Sequence, residues 1–238
     1  MCSAMSDGTL LKPSWPATPI DAYFSFHAFG RAQDGPDGEV YATYTTLEGA
    51  EDANETTSEA TRSPLVQAYT VVHIMAIDLK SAYTVQLAQL TGQIPSLSPK
   101  DAHFLWAADT YSCSHSLPED VRVRQGASGI GLAPCAKADF QVVHAAQPVI
   151  CSAQVSLGLL GETGKWVPVS AQRFRNVRCT PSSELAVTVR GSPGEVIAVR
   201  FAKRMIHSGE DAKVISASCI MGTSGEATAV SDGTCVAL

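Results

Sequence analysis

The sequence has few of the features that mark the commoner protein classes. No apolar run approaches the roughly 18 residues needed to cross a bilayer, which excludes a predicted transmembrane helix. No segment shows helical periodicity with recognisable caps, and no internal repeat is present. No two cysteines form a CxxC pair, which argues against a zinc ribbon or a thioredoxin-like site. The first sixteen residues lack the basic and apolar regions of a signal peptide, which predicts either a chain outside that export route or one whose leader has been replaced by an initiating Met.

Charged residues are also scarce. They make up 17% of the 238 residues, against 45% hydrophobic, so the chain has enough apolar material for a core. The formal net charge of −6 argues against nucleic acid or an anionic membrane surface as a partner. The six histidines are dispersed, with no HExxH or H-x-H spacing, so no metal site or cofactor is predicted.

What the sequence does contain is a series of short strand patterns separated by Gly, Pro and Asp turns, which predicts an all-β chain. Turns every 8–12 residues are typical of an antiparallel two-sheet sandwich, either immunoglobulin-like or jelly-roll. Three regions are predicted: an extended N-terminal arm over 1–20, a β-rich region over 21–130 with an acidic loop at 48–63, and a β-sandwich region over 131–238. The last two form either one continuous domain or two.

The clearest local prediction is a β-hairpin over 179–201. Leu185, Val187 and Val189 alternate with more polar residues, and the same period of two returns in Ile197, Val199 and Phe201. Between the two runs, Pro193 and Gly194 suit the two central positions of a type II turn. These six apolar residues are therefore predicted to form one wall of the core. A second hairpin is predicted between 22–31 and 39–47, around the turn DGPDG.

Seven cysteines, at 2, 113, 135, 151, 179, 219 and 235, fit either long-range disulfides or buried thiols, and the odd number leaves at least one unpaired. Paired cysteines would place the chain outside the cell or at its surface; otherwise it is expected in the cytoplasm or a virion. The order Cys151, Trp166, Cys219 resembles that of the immunoglobulin sandwich, whose disulfide between the sheets packs on a Trp. The resemblance implies a Cys151–Cys219 disulfide, although Ala217 stands where that family has its corner tyrosine.

Two sets of residues are candidate binding positions. Cations concentrate in 173–204. Those on the outer face or at the end of the hairpin predicted over 179–201 are Arg190, Arg200, Lys203 and Arg204. They are interpreted either as a solvated face or as an anion-binding or self-association surface. Aromatic residues concentrate in the hairpin predicted between 22–31 and 39–47, where Tyr41 and Tyr44 are candidates for contacting a sugar ring or a protein.

A catalytic interpretation has weaker support. Gly222–Gly225 resembles the surround of a chymotrypsin-like serine nucleophile, with Ser224, His73 and Asp109 as the best available trio. His73, however, lies inside an apolar run, and only fourteen residues follow Ser224.

The sequence therefore favours a non-catalytic β-sandwich, a binding or structural module that acts through surface recognition or self-association. Its partner would be a protein, a glycan or another copy of the chain. The alternatives are a shell-forming jelly-roll subunit of the viral-coat type and a serine-type hydrolase.

Overall fold

A computed structural model describes most of the C-terminal half of the chain and parts of the N-terminal half. The described ranges are 39–49, 66–77, 79–85, 103–107, 122–124, 129–134, 140–165, 167–206 and 211–238. The predicted arm over 1–20, the predicted strand over 22–31, and the acidic loop beyond Gly49 lie outside them.

The described residues form fifteen strands, which confirms the all-β prediction. In chain order the strands are β1 Glu39–Glu48, β2 Ala68–Ile77, β3 Tyr83–Val85, β4 His103–Ala107, β5 Arg122–Arg124, β6 Ile130–Leu132, β7 Phe140–Ala146, β8 Val149–Ser152, β9 Val155–Glu162, β10 Phe174–Cys179, β11 Leu185–Arg190, β12 Val196–Met205, β13 Lys213–Ile220, β14 Glu226–Val230 and β15 Cys235–Ala237.

These strands form four antiparallel sheets. The N-terminal sheet has the order β1-β2-β7-β4-β5, and a small ribbon pairs β3 with β6. The C-terminal half supplies two sheets that we call the β11 sheet, β10-β11-β14-β15, and the β12 sheet, β13-β12-β9-β8. Buried side chains of both C-terminal sheets pack in one cluster, which makes this half a two-sheet sandwich, as predicted.

The predicted hairpin over 179–201 has the correct turn but the wrong strand pairing. Glu195 N–H donates to Ser192 C=O at 2.9 Å, and Gly194 has φ +79°, as a turn with Pro193 and Gly194 at its centre requires. However, β11 pairs with β10 and β14, whereas β12 pairs with β13 and β9. The turn therefore carries the chain from one sheet to the other.

Hydrogen bonds on the two sides of this turn explain the crossing. Gly191 N–H donates to Gly225 C=O, beside β14, while Met221 N–H donates to Glu195 C=O at the end of β13. The six apolar residues predicted as one wall are all buried, but they form two facing walls of the core. Alternation places the same side chains inside in both arrangements, so it does not distinguish a hairpin from a crossing between sheets.

The sequence also predicts one strand over 148–160 and another over 166–170, and both predictions need correction. The run 148–160 is not one strand, because β8 and β9 form a hairpin around Ala153 and Gln154. No strand occupies the described part of the predicted strand 166–170, since residues 167–170 form bends and irregular backbone. β15 was not predicted.

The disulfide implied by the immunoglobulin resemblance is also wrong. Cys151 pairs with Cys179, joining β8 to β10, and Cys219 pairs with Cys235, joining β13 to β15. Each disulfide therefore links the β12 sheet to the β11 sheet. The two bonds close short loops of the chain, with sequence separations of 28 and 16. Cysteines paired in this way are compatible with an extracellular location.

The N-terminal sheet is buried on both faces. One face, which includes Tyr69, Val71 and Phe104, joins the core cluster of the C-terminal sandwich. The other face, which includes Val72 and Ile74, packs with the β3–β6 ribbon. Burial on both faces explains why β2 reads as a nearly continuous apolar run rather than an alternating one.

Candidate functional site

A row of polar and aromatic side chains crosses the N-terminal sheet where it meets the C-terminal sandwich. The strand register places His73 of β2 opposite His144 of β7, and His144 opposite Trp106 of β4. His73 lies on the same face of its strand as Tyr69 and Val71, because side chains alternate along a strand. This is the face that packs on the sandwich.

The two imidazoles contact each other directly. Their Nδ1 atoms lie 2.9 Å apart, and the rings meet edge to face. His73 Nε2 lies 3.2 Å from Thr45 Oγ1. A hydrogen bond between two Nδ1 atoms needs one donor and one acceptor, so the pair holds one neutral ring protonated at Nδ1 and one protonated at Nε2.

Burial keeps both rings neutral. His73 is 2% exposed and His144 is 0% exposed. Desolvation lowers the pKa of His73 to about 3. It also lowers the pKa of His144 well below its ordinary value, and the charges of His73 and Arg200 lower it further. A shift of this size on buried histidines marks a site candidate only where geometry supports it.

Two nitrogen atoms at this site have no hydrogen-bond partner among the described residues: His144 Nε2 and Trp106 Nε1. The Trp106 and His144 rings have centroids 5.4 Å apart. Arg200 of β12 brings a positive charge to the same place. The site is therefore a desolvated imidazole pair within the electrostatic influence of a cation, between two packed parts of the protein.

The residues predicted as a binding surface do not form one patch. Arg190 ends β11 and has its Nε 3.7 Å from Glu226, while Lys203 lies near the other end of the sandwich and binds Glu184. The charge of Arg200 acts on His144, and Arg204 is half-buried on β12. Tyr44 is half-buried against the core that includes Val72 and Ile74. Tyr41 lies opposite Met75 in the β1–β2 pair. Their role in binding stays a prediction.

Carboxylates neutralise several cations of the basic stretch within the fold. Arg173 Nε lies 2.9 Å from Glu162 Oε2, and Arg173 Nη2 lies 2.7 Å from Glu195 Oε1. The hydrogen bond from Arg173 is the main cause that lowers the pKa of Glu195. Arg175 binds Glu226. At the other end of the sandwich, Glu184 of the β11 sheet connects Lys203 of the β12 sheet to the buried Ser231.

The hydrolase trio lacks a serine–histidine contact. Ser224 Oγ donates to the Leu238 carbonyl at 2.5 Å and accepts from Glu226 N–H at 3.2 Å, in the turn between β13 and β14. The hydrogen-bond partners of His73 are Thr45 and His144. Asp109 lies outside the described residues. In the described part of the chain, then, no imidazole contacts the Ser224 hydroxyl.

A different feature is exposed on the sandwich: a row of large apolar side chains, which we call the apolar row. Val196 of β12 lies directly opposite Ile220 of β13, and they are 66% and 65% exposed. Ile220 directly follows Cys219, and Val236, 62% exposed, directly follows its disulfide partner Cys235. Cys219 and Cys235 point toward each other from the two sheets, so the residues that follow them point outward from opposite sheets. Val236 is therefore not part of the apolar row, which consists of Val196 and Ile220.

The described ranges contain no group of three or more His, Cys, Asp or Glu side chains that could hold a metal ion. Nor do they contain a helix with the length and apolarity needed to cross a bilayer. Comparison with known proteins finds no matching family model, no matching curated protein and no matching solved structure.

Proposed function

We propose that this chain is a disulfide-linked β-sandwich module that acts through its surface, by association with a second copy of itself. The observation that supports this function is the apolar row of Val196 and Ile220, which lie opposite each other on β12 and β13. Single exposed hydrophobic residues are ordinary, whereas neighbouring ones on a sheet surface are typical of interaction sites.

The chemistry of the row favours a protein partner over a glycan. Its two side chains are aliphatic and offer no hydrogen-bonding group, while a sugar ring is covered with hydroxyl groups. The row also carries no charge, so a two-fold contact with its own copy brings apolar groups together without opposing like charges. The alternative partner is a different protein with an apolar surface.

The pairing of the cations within the fold supports the same choice. Arg173, Arg175, Arg190 and Lys203 each contact a carboxylate of this chain. An anionic ligand would have to compete with those contacts, whereas the apolar row is directly accessible. Assembly through such a row is also the first step that a shell-forming subunit would need.

The proposal predicts that wild-type protein forms a dimer and that Ile220→Lys disrupts it. The dimer would have twice the 25.1 kDa mass of the chain in light scattering after size exclusion. A lysine at this exposed position leaves the fold intact but places a charge at the contact, and we expect the dissociation constant to rise at least tenfold.

Val214→Lys is the matched control. Val214 is on the same strand, is 38% exposed and lies six residues from Ile220, and its substitution changes the net charge equally. We expect Val214→Lys to dimerise like the wild type. A wild-type chain that stays monomeric at high concentration would contradict the proposal and leave a different protein as the partner of the row.

A further inference from the structure

We infer that the His73–His144 pair is an acid-sensitive latch, which holds the N-terminal sheet against the C-terminal sandwich at neutral pH and releases it when the imidazoles are protonated. This inference goes beyond self-association and does not depend on it. It rests on where the pair lies and on which groups surround it.

The pair lies in a closely packed interface. Phe104, two residues from Trp106, packs on Gly158 of β9 so tightly that a Cβ at Gly158 would lie 2.6 Å from its ring. The Tyr69 hydroxyl hydrogen bonds with the backbone of Leu159. The positive charge of Arg200, on β12 of the sandwich, acts on His144. The interface therefore offers little room for hydration of a new charge while it stays closed.

Protonation of both rings removes the hydrogen bond between them. An imidazolium carries N–H groups at both nitrogens and has no lone pair to accept with. When both rings are protonated, two N–H donors oppose each other across the present 2.9 Å between the Nδ1 atoms. The same event places two positive charges beside Arg200 in a desolvated interface.

Among the described residues, the groups shown to act on the pair do not offset these charges. They are Thr45 of β1, Trp106 of β4 and Arg200 of β12: a hydroxyl, an indole and a cation. The three influences on the pKa of His144, namely desolvation, His73 and Arg200, all lower it. The charged state of the pair is therefore relieved by opening the interface to water.

The direction of the pH effect follows from the lowered pKa values. A histidine exposed by opening has an ordinary pKa of about 6.5, while the latched His73 has a pKa of about 3. Protons therefore bind the open state preferentially, and the latch is fully effective above pH 6.5. Between about pH 6.5 and 3, each unit of acidification shifts the ratio of open to latched molecules about tenfold through His73, and His144 adds to the shift in the same direction.

Hydrogen–deuterium exchange of the full chain, corrected for the intrinsic rate at each pH, tests the latch. From pH 7 to pH 4.5 we expect peptides of β2 and β7 to lose at least tenfold in protection. Peptides of β11 and β14, which lie within the disulfide-linked sandwich, should keep theirs. Unchanged protection in β2 and β7, or loss in all four strands at the same pH, would overturn the inference.

Arg200→Met distinguishes the latch from ordinary acid unfolding. Removing this positive charge eases protonation inside the closed interface, so β2 and β7 should lose protection at a lower pH than in the wild type. A merely weakened interface would open at a higher pH. Arg190→Met removes a charge from an exposed site. It should leave unchanged the opening pH, which is the pH at which β2 and β7 lose protection. An opening pH in Arg200→Met equal to or above that of the wild type would overturn the latch.

Discussion

Replacing Cys151 and Cys179 with alanine is expected to lower the free energy of unfolding by about 3.5 kcal/mol. The disulfide closes a segment of 28 residues, and removing it returns the corresponding loop entropy to the unfolded chain. Cys151 and Cys179 are 4% and 5% exposed, so alanine also leaves small gaps between the sheets. Urea denaturation under non-reducing conditions, followed by circular dichroism, measures the change.

Replacement of Cys219 and Cys235 by alanine is the matched comparison. This bond closes 16 residues, so the expected loss is slightly smaller, about 3 kcal/mol. Cys235 is also partly exposed, which reduces the cost of the gap. A double-alanine variant at 151 and 179 with the same unfolding midpoint as the wild type would contradict the assignment of this disulfide.

Tyr69→Phe is expected to destabilise the protein by about 2–4 kcal/mol, although it removes a single oxygen atom. The Tyr69 hydroxyl donates to the Leu159 carbonyl at 3.0 Å and accepts from the Leu159 N–H at 2.9 Å. Phenylalanine would leave both backbone groups buried without a partner, and each such group costs about 1–3 kcal/mol. Both sheets lose an anchor, because Tyr69 is on β2 and Leu159 is on β9.

Tyr83→Phe is the control for this substitution. Tyr83 is a tyrosine of the β3–β6 ribbon and is only partly buried, so losing its hydroxyl should change the free energy of unfolding by less than about 0.5 kcal/mol. Thermal unfolding of the two variants side by side measures the difference. Equal stability of Tyr69→Phe and Tyr83→Phe would show that the Leu159 backbone finds other partners.

Local patterns in the sequence were enough to predict many of the strands and the best turn. Residues 226–230 read as a strand and form β14, and Pro193 with Gly194 forms the predicted turn. Both features depend on neighbouring residues: side-chain alternation in one case, and φ preferences in the other. Such information lies in a few consecutive positions.

Long-range pairing was not predictable in the same way. The crossing between β11 and β12 depends on hydrogen bonds from Gly191 to Gly225 and from Met221 to Glu195, and no local pattern specifies those partners. The same holds for the cysteines, since an inward-facing Cys151 is compatible with any inward-facing cysteine on the opposite sheet. Strand order decides the choice.

The histidine pair shows most clearly that the sequence alone does not reveal which distant residues come into contact. His73 and His144 are 71 residues apart and read as two of six dispersed histidines, but β2 and β7 are neighbours and their register aligns the two rings. The one available signal was that His73 interrupts an apolar run on a buried strand. A polar residue in that setting needs a buried partner, but the sequence does not name it.

The account depends most on the sandwich in which the two disulfides link the β11 and β12 sheets. Mass spectrometry of peptides from a non-reducing digest tests it most directly. The structure predicts that the peptide containing Cys151 is linked to the one containing Cys179, and that Cys219 is linked to Cys235. A linkage between Cys151 and Cys219, or four free thiols at these positions in freshly purified native protein, would contradict it.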